Sequence, residues 1–128
     1  MTTDTKIFLL DDEKIVCEFI AHSFKDQYDF TYFTKEEDCA KALISEKPDF
    51  LLLDYYLAEM NGLDFYEENK MLLEGIEIVF ISGQKSITDM FGVINQTKAK
   101  FVVKDENMLK CLEYLFIGDL EAYENLLY

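Results

Sequence analysis

Five short apolar runs recur along the chain, each followed by a longer segment of helical period, and this alternation constrains the fold more than any other feature. The runs KIFLL (Lys6 to Leu10), FTYF (Phe30 to Phe33), DFLLL (Asp49 to Leu53), IEIVFI (Ile76 to Ile81) and AKFVV (Ala99 to Val103) read as strands. Several are continuously apolar, as strands covered on both faces are, whereas FTYF alternates and reads as an edge. Between them, Ile15, Val16, Phe19, Ile20 and Phe24 recur at helical spacing, as do Cys39, Ala42 and Leu43. Leu63, Phe65 and Tyr66 open a third helix after Gly62, Ile87 to Ile94 suggest a short fourth, and Met108, Leu109, Leu112, Leu115 and Phe116 make a fifth. Pro48 stops the second helix ahead of the third strand.

Strict alternation of strand and helix implies an α/β fold, a parallel sheet with helices on both faces. Right-handed crossovers leave few topologies, and the one that suits five strands is the flavodoxin-like, doubly wound order 2-1-3-4-5. The 128 residues fit one domain, 1–128, and half of them are hydrophobic, which argues against disorder. A net charge of -14 disfavours nucleic acid and anionic membrane surfaces as partners. Cys17, Cys39 and Cys111 lie far apart with no metal-like spacing, so they read as reduced, buried thiols. His22, the single histidine, falls inside a helical pattern and reads as structural or surface, not catalytic. No apolar run reaches the ~20 residues of a membrane span, and no signal peptide is visible, so a cytoplasmic location is expected.

In such a sheet, ligands bind at the carboxyl ends of the strands. The first strand ends in Asp11-Asp12-Glu13, the third in Asp54, the fourth in Ser82-Gly83 and the fifth in Lys104. Strands 1, 3, 4 and 5 are consecutive neighbours in the expected order, so these polar residues converge around Asp54. Three carboxylates packed together raise one another's pKa unless a cation sits among them. Oxygen ligands alone, beside a phosphate, suit Mg²⁺. With a metal bound, one carboxylate can attack phosphorus and form an aspartyl-phosphate, while a lysine and a hydroxyl hold the equatorial oxygens.

The motifs LLDDE, LLLDYYLAEMNGLDF, VFISG and FVVKD, in this order and on these strand ends, resemble those of a bacterial response-regulator receiver domain. The resemblance covers a core of about residues 6–116. It implies that Asp54 is the phosphoacceptor, that Asp11 and Asp12 form the acidic pair for Mg²⁺, that Ser82 is the switch hydroxyl and that Lys104 is the invariant lysine. Asp54 and the backbone carbonyl of Tyr56 would complete the metal shell. It further implies a histidine kinase or phosphotransfer protein as phosphoryl donor. Such a domain is no conventional enzyme, but it catalyses its own phosphorylation and autodephosphorylation. By the same resemblance Phe101 stands at the switch aromatic, while Tyr56 and Gln84 tune phosphoryl lifetime. Tyr55, by alternation, should face away into helix packing.

The chain departs from the family pattern at two prolines. The proline that commonly follows the lysine is Asp105. A cis bond before a non-proline residue costs ~2.5–4 kcal/mol, which favours a trans Lys104–Asp105 bond. The proline expected four residues after the phosphoacceptor is Ala58, although Gly62 is in place. At Phe101 no hydroxyl is available, so a switch there would work by packing.

The last residues, 117–128, read as a helical extension with no output domain, and hence as a stand-alone receiver. Leu120, Tyr123, Leu126 and Leu127 keep helical spacing past Gly118. They either pack beside the last helix or offer a small surface to a partner or dimer mate. Signalling is expected through a face made of the Ile87–Ile94 segment, the fifth strand and the Met108–Phe116 helix, which binds a downstream protein. The alternative is a phosphorylation-independent interaction module with the same fold. A haloacid-dehalogenase-type phosphatase would want Asp-x-Asp after the first strand, and an FMN carrier would want a Ser/Thr/Gly-rich loop there; DDEK supplies neither.

Overall fold

A computed structural model of the chain describes residues 4–57, 60–83, 92, 95 and 97–127. Five parallel strands form one sheet: β1 (Lys6–Leu10), β2 (Asp29–Phe33), β3 (Phe50–Asp54), β4 (Glu77–Ser82) and β5 (Lys100–Val103), in the order β2-β1-β3-β4-β5. The described helices are α1 (Lys14–Phe24), α2 (Glu36–Ser45), α3 (Gly62–Glu68), α4 (Met108–Ile117) and α5 (Leu120–Leu127). Fold class, strand order and the edge position of FTYF all agree with the sequence reading. Ala58, Gln84 and all of the Ile87–Ile94 segment except Gly92 lie outside the described residues.

The burial pattern explains the order. All five residues of β3 are buried, as the central strand of a doubly covered sheet requires, while every residue of β2 at the edge is exposed or half-buried. Phe116 of α4 makes edge-to-face contacts with Phe24, Tyr28 and Phe50, ring centroids 5.1–5.2 Å apart, which join it to α1 and β3. Phe80 of β4 packs instead against Tyr55 and Tyr66. Strand ends differ from the sequence reading by a single residue. Tyr55 N–H continues the ladder to Ile81 C=O at 2.8 Å, so Asp54 closes β3 instead of following it, and Ser82 likewise closes β4. No cis peptide occurs among the described residues, so the Lys104–Asp105 bond is trans. Among the described residues no helix is long and apolar enough to cross a membrane.

The chain turns back sharply after α4. Gly118 adopts φ +80°, and Gly118 and Asp119 N–H donate to Leu115 and Tyr114 C=O. Asp119 then caps α5, its carboxylate accepting from Ala122 N–H at 3.1 Å. The last helix is therefore a separate element that packs on α4, not a continuation of it.

Another close approach fixes the loop that follows β3. Gly62 N–H donates to Tyr55 C=O at 2.6 Å, and Leu57 N–H to Met60 C=O at 3.1 Å. A Cβ at Gly62 would lie 2.5 Å from Asp54 O and 3.1 Å from Tyr55 Cα, both backbone atoms that cannot swing aside. Only glycine lets α3 begin against the strand end. Gly62→Ala is expected to destabilise the fold by about 1–3 kcal/mol through overpacking, read as a lowered urea midpoint.

Candidate functional site

The carboxyl ends of β1, β3, β4 and β5 stand side by side. Asp11 follows β1 and is fully buried, Asp54 closes β3 at 3% exposure, and Ser82 closes β4 at 1%. Asp12 is exposed at the rim. One carboxylate oxygen from each of Asp11, Asp12 and Asp54 falls within 4.8 Å of the others. Lys104, just past β5, brings its ammonium to 2.8 Å from Asp11 Oδ2 and 3.5 Å from Asp54 Oδ2. Its backbone N–H donates to Ser82 C=O at 2.8 Å, which ties the lysine to the neighbouring strand end.

Backbone donors hold the carboxylates in place. Glu13 N–H donates to Asp11 Oδ1 at 2.9 Å, and Tyr56 N–H to Asp54 Oδ1 at 3.2 Å. The Cys17 thiol donates to Asp11 C=O at 3.2 Å, and burial pushes that thiol up to about 12, so it stays protonated. Asp11 Oδ2 meets Lys104 in ion-pair contact but outside hydrogen-bond alignment. Among the described residues this buried oxygen has no aligned donor.

Three carboxylates face one ammonium, so the site is short of positive charge. Burial, and then the charge of Asp11, raise the Asp54 carboxyl to about 7, against the opposing pull of Lys104. Burial alone would lower the Lys104 ammonium, but its contacts with Asp11 and Asp54 outweigh that and hold it above its ordinary value. A divalent cation would relieve both the repulsion and the unaligned oxygen. The donor set, oxygens only and few in number, fits Mg²⁺ better than a thiophilic metal.

Of the residues singled out from sequence, Asp11, Asp12, Asp54 and Lys104 come together by distance. Ser82 joins them by strand register, opposite Val103 and one residue beyond the Asp54–Ile81 pair. Tyr56 lies beside the site, 44% exposed, its ring 4.9 Å from that of Tyr55. Phe101 is buried in β5, three residues before Lys104. Two contributors went unread in the sequence: the Cys17 thiol beneath Asp11, and Tyr123, whose hydroxyl bonds the Phe101 backbone. Cys17 gave no signal beyond a helical apolar spacing, whereas a tyrosine among the leucines of the tail was a visible cue, since a buried hydroxyl needs a partner. An open cleft of about 520 Å³, lined in part by Asp12, Lys35 and Met60, flanks the site. A larger cavity of about 660 Å³ lies at the amino ends of β4 and β5 and includes none of the convergent residues.

The model of the response regulator receiver domain family matches residues 7–115. No curated protein matches. Solved structures share the fold at low identity. The Vibrio cholerae chemotaxis protein CheY4 is 16% identical with a TM-score of 0.79, over 88% of this chain and 97% of that one. A CheY-like receiver domain protein from Methanospirillum hungatei is 17% identical with a TM-score of 0.80, over 96% and 98%. A Burkholderia pseudomallei response regulator, solved with a phosphorylated aspartic acid and a calcium ion, is 20% identical with a TM-score of 0.78, over 96% and 74%.

The raised Asp54 carboxyl has a consequence for stability. Its folded pKa of about 7 lies above its ordinary 3.8, so folding favours the protonated form. That stabilisation is present below about pH 4 and is lost as pH rises through about 7. At 1.36 kcal/mol per unit, the loss is at most about 4 kcal/mol. Without divalent cations, Asp54→Asn should therefore become more stable than the parent as pH rises from 4 to 8, measured by urea unfolding at each pH.

Proposed function

The chain belongs to the response regulator receiver domain family, and from that membership we propose that it accepts a phosphoryl group on Asp54 from a histidine kinase or phosphotransfer protein. The observation that carries the assignment is the Lys104 ammonium set between Asp11 and Asp54 at adjoining strand ends. Asp54, like Asp11, has a backbone donor on one oxygen and the lysine beside the other; its place at the end of the central strand β3 is what singles it out for attack.

In the transfer, an Asp54 oxygen attacks phosphorus as the bond to the donor nitrogen breaks, and the donor imidazole leaves with that electron pair. The Lys104 ammonium balances charge on the transferred oxygens, and the Ser82 hydroxyl donates to one of them. The Asp54 carboxyl must be ionised to attack, and the lysine favours that form. Asp11, Asp12, Asp54 and the Tyr56 carbonyl are the groups that would hold Mg²⁺. When bound, Mg²⁺ supplies the remaining positive charge and polarises the phosphoryl group. Tyr56 stands where its exposed ring can hinder a water that attacks the phosphoaspartate, which would lengthen the lifetime of the modified state.

The phosphorylated Burkholderia pseudomallei relative supports the same reading for this fold. The modified domain signals through contacts with a downstream protein, for which β5 and α4 supply part of the face. Incubation with acetyl phosphate and Mg²⁺ should give one slower band on a phosphate-affinity gel. Asp54→Asn should abolish that band, and Lys104→Ala should slow its appearance by about 10²-fold. A band of equal strength in Asp54→Asn would refute the assignment.

A further inference from the structure

β5 is an edge strand, paired with β4 on one side and, among the described residues, with no strand on the other. On the open side, Phe101 N–H donates to the Tyr123 hydroxyl at 3.2 Å, and that hydroxyl donates to Phe101 C=O at 2.6 Å. One phenol thus occupies the donor and acceptor that an added strand would use. Tyr123 is 4% exposed, although its carrier α5 has only eight residues. A helix so short does not persist alone in water, so its order depends on docking. Leu126 packs against the core beside Tyr123, while Leu120 remains half in solvent. The turn at Gly118 and the Asp119 cap supply the hinge.

The docking point lies three residues before Lys104 on the same strand. In the arrangement observed, Lys104 sits nearer Asp11 (2.8 Å) than Asp54 (3.5 Å). A phosphoryl group on Asp54 adds negative charge beside that ammonium and draws it off Asp11. Because the Lys104 backbone N–H is bonded to Ser82 C=O, a pull on either residue is passed to the end of β5. A hydroxyl bonded to both backbone groups of one residue tolerates little displacement before one bond leaves its range.

Building on the assignment of Asp54 as phosphoacceptor, we propose that the open edge of β5 is a docking surface for the chain's own C-terminal helix, latched by Tyr123, and that phosphorylation opposes this docking. Linkage makes the effect reciprocal: the factor by which binding at Asp54 weakens docking is the factor by which docking weakens binding at Asp54.

Beryllofluoride with Mg²⁺, a non-covalent stand-in for the phosphoryl group, provides the test. Calorimetric titration of the full chain should show Tyr123→Phe binding three- to tenfold tighter than the parent, roughly the worth of the lost hydroxyl bonds. In the parent itself, hydrogen exchange across residues 120–127 should accelerate when beryllofluoride is added and should not change in Asp54→Asn. The exchange arm needs no substitution at Tyr123, so it decides the matter even if that variant folds poorly. Parent binding with tail exchange unchanged would overturn the latch and leave the phosphoacceptor standing. No binding by the parent would overturn both.

Discussion

The ion contact of Lys104 with Asp11 and Asp54 joins residues from three strand ends, and most of the structure can be understood as what that contact requires. The three residues are separated by 43 and 50 positions in sequence, so only the tertiary fold can bring them together. The order β2-β1-β3-β4-β5 places β3 between β1 and β4, and the Lys104–Ser82 backbone bond brings β5 alongside. A one-residue slip in any pairing would turn Asp54 or its neighbour to the wrong face. The continuous burial of β3 therefore serves the chemistry: apolar cover on both faces fixes the register of the acid at its end.

The same site is held under electrostatic tension. Asp54 and Asp11 are desolvated together, and a single ammonium does not neutralise them, which is why the Asp54 carboxyl rises to about 7. Such a surplus of negative charge favours a cation, and with it an incoming phosphoryl group. Structure is kept rigid around it by small, specific contacts, among them Gly62 against the Asp54 backbone and the Cys17 thiol beneath Asp11. At the far edge of β5 the opposite design is found, a short helix held by a tyrosine hydroxyl and a half-exposed apolar face. Rigidity at the acid and weak attachment at the edge are what a domain that transmits a local charge change needs.

Much of this was legible in the sequence. Continuous apolar runs separated by helical periods led to the strand order, because parallel sheets must be covered on both faces and crossovers have one hand. Acids, a serine and a lysine at the ends of four such runs then led to the site without any coordinates. What was not legible depended on contacts between distant residues. The close approach of Gly62 could be expected only from its motif, since a clash with a carbonyl is a three-dimensional fact. Tyr123 was read as one more apolar residue at helical spacing; its hydroxyl was a cue that a partner was needed, but a one-dimensional pattern does not say that the partner is the Phe101 backbone. The strand ends shifted by one residue for a similar reason: a ladder bond such as Tyr55 to Ile81 extends a strand past the last apolar side chain.

The central claim is that one carboxylate among three neighbours takes the phosphoryl group. Acyl phosphates are reduced by borohydride to the alcohol, so an aspartyl-phosphate is recorded as homoserine at the modified position. Peptide mapping by tandem mass spectrometry, after acetyl phosphate, Mg²⁺ and borohydride, locates that change directly. The account predicts homoserine at position 54 alone; homoserine at position 11 or 12, or at no aspartate, would contradict it.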